Sequence, residues 1–152
     1  MNRAGLVCLA LLAWTLLSCG SGPSPKKIDG VWFGNVLFSD GSLAYAFSAT
    51  LEQGTASAVS VTGFGFTSPA TPCFGSAIGQ TATFSVTGHS GGYQTGPFQM
   101  SISTSLGTQV ENVLTLTGTR NSDGSIAGNW NLTGLSGCSG QGTFTMHNPP
   151  PV

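Results

Sequence analysis

The chain has 152 residues, 39% apolar and only 6% charged, with a formal net charge of −1. Four Lys and Arg residues cannot build the basic face that nucleic-acid binding requires, so a nucleic-acid partner is excluded. High glycine with low charge is a composition shared with disordered chains, but nine Phe residues and the apolar fraction supply a core for one domain.

In chain order, the first element is Arg3 followed by the apolar run Ala4–Leu17, closed by the small Ser18 and then Cys19. The run has 14 residues, short of the roughly 20 that span a bilayer as a helix, and reads as a cleaved leader. Leu16-Leu17-Ser18-Cys19 resembles the lipobox of bacterial lipoproteins. That resemblance implies cleavage after Ser18, acylation of Cys19, and a protein held to a membrane by lipid rather than by a helix. Gly20, where an inner-membrane retention signal would place Asp, implies the outer membrane, with the domain facing periplasm or exterior. Cys8 is no second candidate, because Val7 before it is not small and the apolar run continues past it. Residues 19–27 form a Gly/Ser/Pro tether ending in Lys26-Lys27, and its eight residues after Cys19 reach about 28 Å at full stretch.

From 28 to 147 the apolar period is two, which predicts strands throughout. They are expected at Val31–Phe38, Leu43–Glu52, Thr55–Phe66, Ile78–Thr87, Tyr93–Thr104, Gln109–Thr119, Ser125–Thr133 and Gly140–His147. One face carries Leu43, Tyr45, Phe47, Ala49 and Leu51, then Ala82, Phe84 and Val86. It continues with Phe98, Met100 and Ile102, then Leu114 and Leu116, then Ile126, Trp130 and Leu132, and finally Phe144 and Met146. The other face is Thr, Ser, Asn and Gln. Short turns such as Ser39-Asp40-Gly41-Ser42 and Asn121-Ser122-Asp123-Gly124 make neighbours antiparallel. Residues 148–152 are a Pro-rich tail that cannot extend a sheet.

The expected fold is all-β: an antiparallel eight-stranded up-and-down meander barrel, or else a flattened two-sheet sandwich. A transmembrane barrel shares the alternation, but few Trp and Tyr are available for its girdles. Gly30-Val31-Trp32 resembles the Gly-x-Trp opening of lipocalins and avidins. In lipocalins an arginine late in the barrel packs on that Trp. The candidate here is Arg120, which stands earlier in strand order than the family pattern has it.

With Cys8 in the leader and Cys19 lipidated, Cys73 and Cys138 remain as an even pair in an oxidising compartment and predict a disulfide. In a meander barrel both would lie at the rim opposite the tether, but on opposite sides of it. Disulfide Cα atoms approach within about 7 Å, so the Thr67–Gly75 connection must cross the mouth as a pinned lid.

Other chemistry is sparse. Gly88-His89-Ser90-Gly91-Gly92 matches the Gly-x-Ser-x-Gly elbow, and Asp123 and His147 follow in triad order. No helix follows Ser90 to complete an oxyanion site, so the stretch reads as a hairpin. Asn131-Leu132-Thr133 is a glycosylation sequon by pattern alone. His89 and His147 read as surface residues, and neither a metal, a cofactor nor a catalytic residue is expected. The expected role is a non-enzymatic, lipid-anchored structural or interaction module, its neutral polar face meeting polysaccharide or another envelope protein. The alternative is a lipocalin-like carrier of a small apolar ligand. The two differ in whether the interior is filled.

Overall fold

A computed structural model describes residues 22–68, 73–74, 78–135 and 137–149. The expected leader, Cys19 and the start of the expected tether lie outside the described residues, as do parts of the expected lid connection and the end of the expected Pro-rich tail. Nine strands run β1 (Gly30–Phe38), β2 (Leu43–Gln53), β3 (Ala58–Ser68), β4 (Ile78–Phe84), β5 (Gly88–Ser90), β6 (Tyr93–Leu106), β7 (Gln109–Arg120), β8 (Ile126–Thr133) and β9 (Gly140–His147). They pair in the order β4-β3-β2-β1-β9-β8-β7-β6-β5, and β4 pairs with β6. The result is a closed antiparallel barrel of eight strands with β5 outside the ring. The barrel is the expected fold, not the flattened sandwich.

Local sequence explains the turns. The tetrapeptide Ser-Asp-Gly-Ser occurs twice, at 39–42 and 122–125, and folds the same way both times. The Asp carboxylate accepts from the backbone N–H and the hydroxyl of the second Ser (Asp40 from Ser42 at 2.9 and 2.6 Å, Asp123 from Ser125 at 2.9 and 2.7 Å). Gly41 and Gly124 take positive φ, +83° and +85°, which a side chain would resist.

The expected strand Ile78–Thr87 is instead two. β4 pairs Phe84 with Phe98, whereas β5 pairs Gly88 with Thr95. One extra residue therefore stands on the β4–β5 side: a β-bulge at 85–87. Such a slip flips the face presented, which is why Val86 is exposed (45%) rather than in line with Phe84. Leu43, at the very start of β2, is likewise exposed rather than inward.

The barrel interior is filled. Trp32, Phe47, Phe84, Phe98, Phe144, Met100 and Met146 are at most 1% exposed and form one apolar cluster with Leu51, Ile102, Leu114, Leu116, Ile126 and Trp130. Large rings fit because small residues face them. Gly118 and Gly128 are cross-strand partners, and the Phe144 ring lies against Gly118. A Cβ on Gly128 would stand 2.2 Å from the Thr117 carbonyl oxygen, so the position accepts only glycine.

The seam between β3 and β4 is the weakest in the ring, held by two residue pairs, Ala58–Thr83 and Val59–Ala82. Beyond it the strands diverge toward the disulfide, and Phe64 and Phe66 are only partly buried there.

Candidate functional site

Every strand runs between a tether end, where β1 begins, and a loop end, where β1 meets β2. Different chemistry closes each. At the tether end, residues 26–29 run across the barrel base as a strap. Lys26 donates its backbone N–H to the Gly92 carbonyl (2.8 Å) and accepts from Gln94 N–H (3.1 Å). The Ile28 side chain is fully buried, its N–H donates to Gln53 Oε1 (3.2 Å), and its carbonyl accepts from Trp32 Nε1 (2.7 Å). Asp29 accepts from Gln53 N–H through its carboxylate and from Asn148 Nδ2 through its carbonyl (3.1 Å).

Arg120 completes this end. It is 3% exposed, and its guanidinium carbon lies 5.5 Å from the Trp32 ring centre, 5.9 Å from Phe84 and 5.2 Å from Tyr93. Nη1 donates to the Lys26 carbonyl (3.0 Å), while the buried Nε has no hydrogen-bond partner. Arg120 therefore packs on Trp32 from the end of β7. Burial holds its pKa below the ordinary arginine value, with Tyr93 and Asp29 acting in the opposite direction. Lys26, Lys27, Asp29, Tyr93, Arg120, Asn148 and Pro149 line an open pocket of about 440 Å³ beside the strap.

At the loop end Cys73 and Cys138 form a disulfide with Cα atoms 5.5 Å apart. Phe74 packs on Phe66 of β3 (ring centres 4.8 Å apart) and Tyr45 of β2 (6.1 Å). The Cys73 carbonyl accepts from Asn112 Nδ2 of β7 (2.7 Å). Cys73 and Phe74 thus lie across the mouth, as the disulfide geometry requires; residues 69–72 and 75–77 of the same connection lie outside the described residues. Asn112 also accepts from Leu135 N–H (3.0 Å) and is the buried polar hub of this lid.

The outer wall offers a third feature. Two cross-strand rungs of uncharged polar residues run over five strands. One is Thr83–Gln99–Thr117–Asn129–Thr143, the other Thr81–Ser101–Thr115–Asn131–Gln141. Over β7–β9 they line an open depression of about 630 Å³, bounded by Ser39 and floored by Gly142 and Trp130. Trp130 is anchored by its Nε1 donating to the Leu37 carbonyl (2.7 Å). No charged side chain lines the depression. This outward face is not the apolar belt of a transmembrane barrel.

The triad-like residues are not joined as a triad, although His147 stands near enough to Asp123 to help Ser125 lower its carboxyl pKa. Ser90 sits in the β5–β6 hairpin opposite Tyr93, and the Asp123 carboxylate is occupied by Ser125. Among the described residues no hydrogen bond joins Ser90, Asp123 and His147. His89 is exposed and His147 partly so. Among the described residues no group of three His, Cys, Asp or Glu is placed to hold a metal, and no helix is long and apolar enough to cross a membrane. No protein-family model, curated protein or solved structure matches the chain.

Sequence reasoning missed the strap, because its bonds are mostly backbone. It also missed Asn112, which does carry a signal. Asn112 and Arg120 share the inward phase of Leu114 and Leu116, where a polar residue must have a buried partner.

Proposed function

We propose that this chain is a lipid-anchored envelope protein, tethered to the outer membrane through acylated Cys19. Its barrel is a non-enzymatic interaction module that works through its outer wall. The observation that carries this reading is the filled interior: the rings that would line a carrier's cavity occupy it, while the outer wall carries an open depression of about 630 Å³ lined by an uncharged Thr/Asn/Gln array. An array of amide and hydroxyl groups without charge suits a neutral, hydroxyl-rich partner such as polysaccharide, whose hydroxyls pair with Asn and Gln side chains acting as both donor and acceptor. It suits a small apolar ligand poorly, because such sites are concave and mostly apolar.

Two measurements test this. Mass spectrometry of the mature protein should find an acylated Cys19 at the amino terminus; a free thiol there contradicts the anchor. Binding of the mature protein to neutral polysaccharides should fall at least about tenfold in N129A/N131A, the loss of roughly 1.4 kcal/mol or more. The melting temperature should be unchanged. Binding that survives in N129A/N131A, or stoichiometric binding of an apolar ligand inside the barrel, contradicts the outer-wall reading.

A further inference from the structure

Downstream of Cys19 the chain has three cationic side chains, Lys26, Lys27 and Arg120. All three line one pocket beside the strap at the tether end. In a barrel otherwise nearly free of positive charge, this convergence asks for a reason. A structural role accounts for part of it: the Arg120 guanidinium is stacked among Trp32, Phe84 and Tyr93, and Nη1 caps the Lys26 carbonyl. That role leaves the charge without a close partner: Asp29 acts on it electrostatically but forms no ion pair with it. Arg120 is only 3% exposed, its Nε has no hydrogen-bond partner, and no carboxylate forms an ion pair with it among the described residues. Taking a guanidinium out of water without a directly paired counter-charge is costly, and the usual remedy is an anion in contact with it. The one acid at the pocket, Asp29, has its carboxylate engaged by Gln53 N–H. Lys26 is held near the same wall, its Nζ 5.5 Å from the Tyr93 ring centre. Asn148 lines the pocket too, with its side-chain amide committed to the Asp29 carbonyl.

We propose that this pocket is an anion site that takes a phosphate group between the Lys26 and Lys27 ammonium groups and the Arg120 guanidinium. A tetrahedral anion matches several convergent N–H donors, and charge-assisted bonds to it are among the strongest available. The phosphate has two possible sources: the headgroup of an anionic phospholipid, or a soluble phosphate compound. The pocket stands where the tether leaves the barrel. If Cys19 is acylated as proposed, residues 20–25 keep this end close to the bilayer, and a headgroup phosphate would then fix which end of the barrel faces the membrane. Only this lipid arm rests on the anchor; the anion site itself does not, nor does it depend on the outer wall.

Arg120 is the sole arginine of the mature chain, so its Nε–H gives a single arginine side-chain correlation in a proton–nitrogen spectrum. The test titrates the mature lipoprotein, in neutral detergent micelles, with inorganic phosphate, with dioctanoyl phosphatidylglycerol, and with sodium chloride at matched ionic strength. A saturable shift of that signal is expected with a phosphate-bearing probe. It should be weakened about fivefold or more in K26Q/K27Q, whose changed side chains are exposed and outside the core. Tighter binding of the lipid assigns the membrane as the source; equal or tighter binding of inorganic phosphate assigns a soluble one. A shift that merely follows ionic strength, no shift with either phosphate probe, or affinity unchanged in K26Q/K27Q overturns the site.

Discussion

The two ends of the barrel solve the same problem in opposite ways. Each must stop water from reaching the rings inside. At the tether end the seal is local in sequence: residues 26–29 lead directly into β1 and are stitched by hydrogen bonds to β2, β6 and β7, with Arg120 stacked on Trp32 above the fully buried Ile28. At the loop end the seal is covalent and distant. Cys73 is brought across the mouth to Cys138, 65 residues away, and Asn112 holds the crossing from below. The difference follows from the ring itself. β6 and β7 sit beneath the strap, whereas the divergent β3–β4 seam leaves the loop end without a continuous wall. A mouth that pairing does not close is closed by a cross-link, and the half-buried Phe64 and Phe66 with the buried Phe74 fill the remaining gap.

This contrast can be broken at either end. The largest effect belongs to the tether end. Trp32→Ala removes the ring under Arg120 and the donor to the Ile28 carbonyl, and should cost about 3–5 kcal/mol in a denaturant melt. A loss below about 1 kcal/mol would mean that the strap, not the Trp–Arg stack, carries this end. Next comes the disulfide. C73S/C138S opens the loop that the cross-link closes in the unfolded chain, and the entropy so released should cost up to about 4 kcal/mol of stability. Hydrogen exchange should quicken at Phe74 and Leu135 while Lys26 and Gln94 stay protected. Uniform loss of protection at both ends would show that the seals are not independent.

Asn112→Ala sharpens the comparison from within the lid. It removes the donor to the Cys73 carbonyl and the acceptor of the Leu135 N–H, and should cost about 1–3 kcal/mol with the disulfide intact. The smallest effect is that of pH on the twin turns, one at each end. Asp40 and Asp123 have pKa values below the ordinary 3.8, because the hydroxyl and N–H of Ser42 and Ser125 bond the ionised carboxylate. Since the folded values are depressed, the stabilisation is in place above pH 3.8 and fades as pH falls through the lower folded values. Both carboxylates face solvent, so only a slight drop in melting temperature is expected in that range, and D40N/D123N should flatten it.

Much of the architecture is written in local sequence. Alternation gave the inward rings, Ser-Asp-Gly-Ser gave two turns, and the count of cysteines gave the bridge, because each of these depends on residues within one strand or one loop. What stayed hidden depends on partners. The bulge at 85–87 cannot be read from Ser85-Val86-Thr87, since it exists only against the register of β6. The strap is invisible for the same reason: Lys26 enters the fold through its backbone. Of the candidate sites, the convergence of Lys26, Lys27 and Arg120 requires a chain that returns to its starting end after 94 residues. The outer depression likewise needs three strands placed side by side.

The central claim is that both seals close over a solid interior, leaving the outside to do the binding. Xenon enters apolar cavities and is seen directly in crystals under gas pressure. Crystals of the mature protein so treated should show no xenon within the ring of strands. A well-occupied xenon among Phe47, Met100 and Phe144 would reveal a hollow core and return the protein to the carriers.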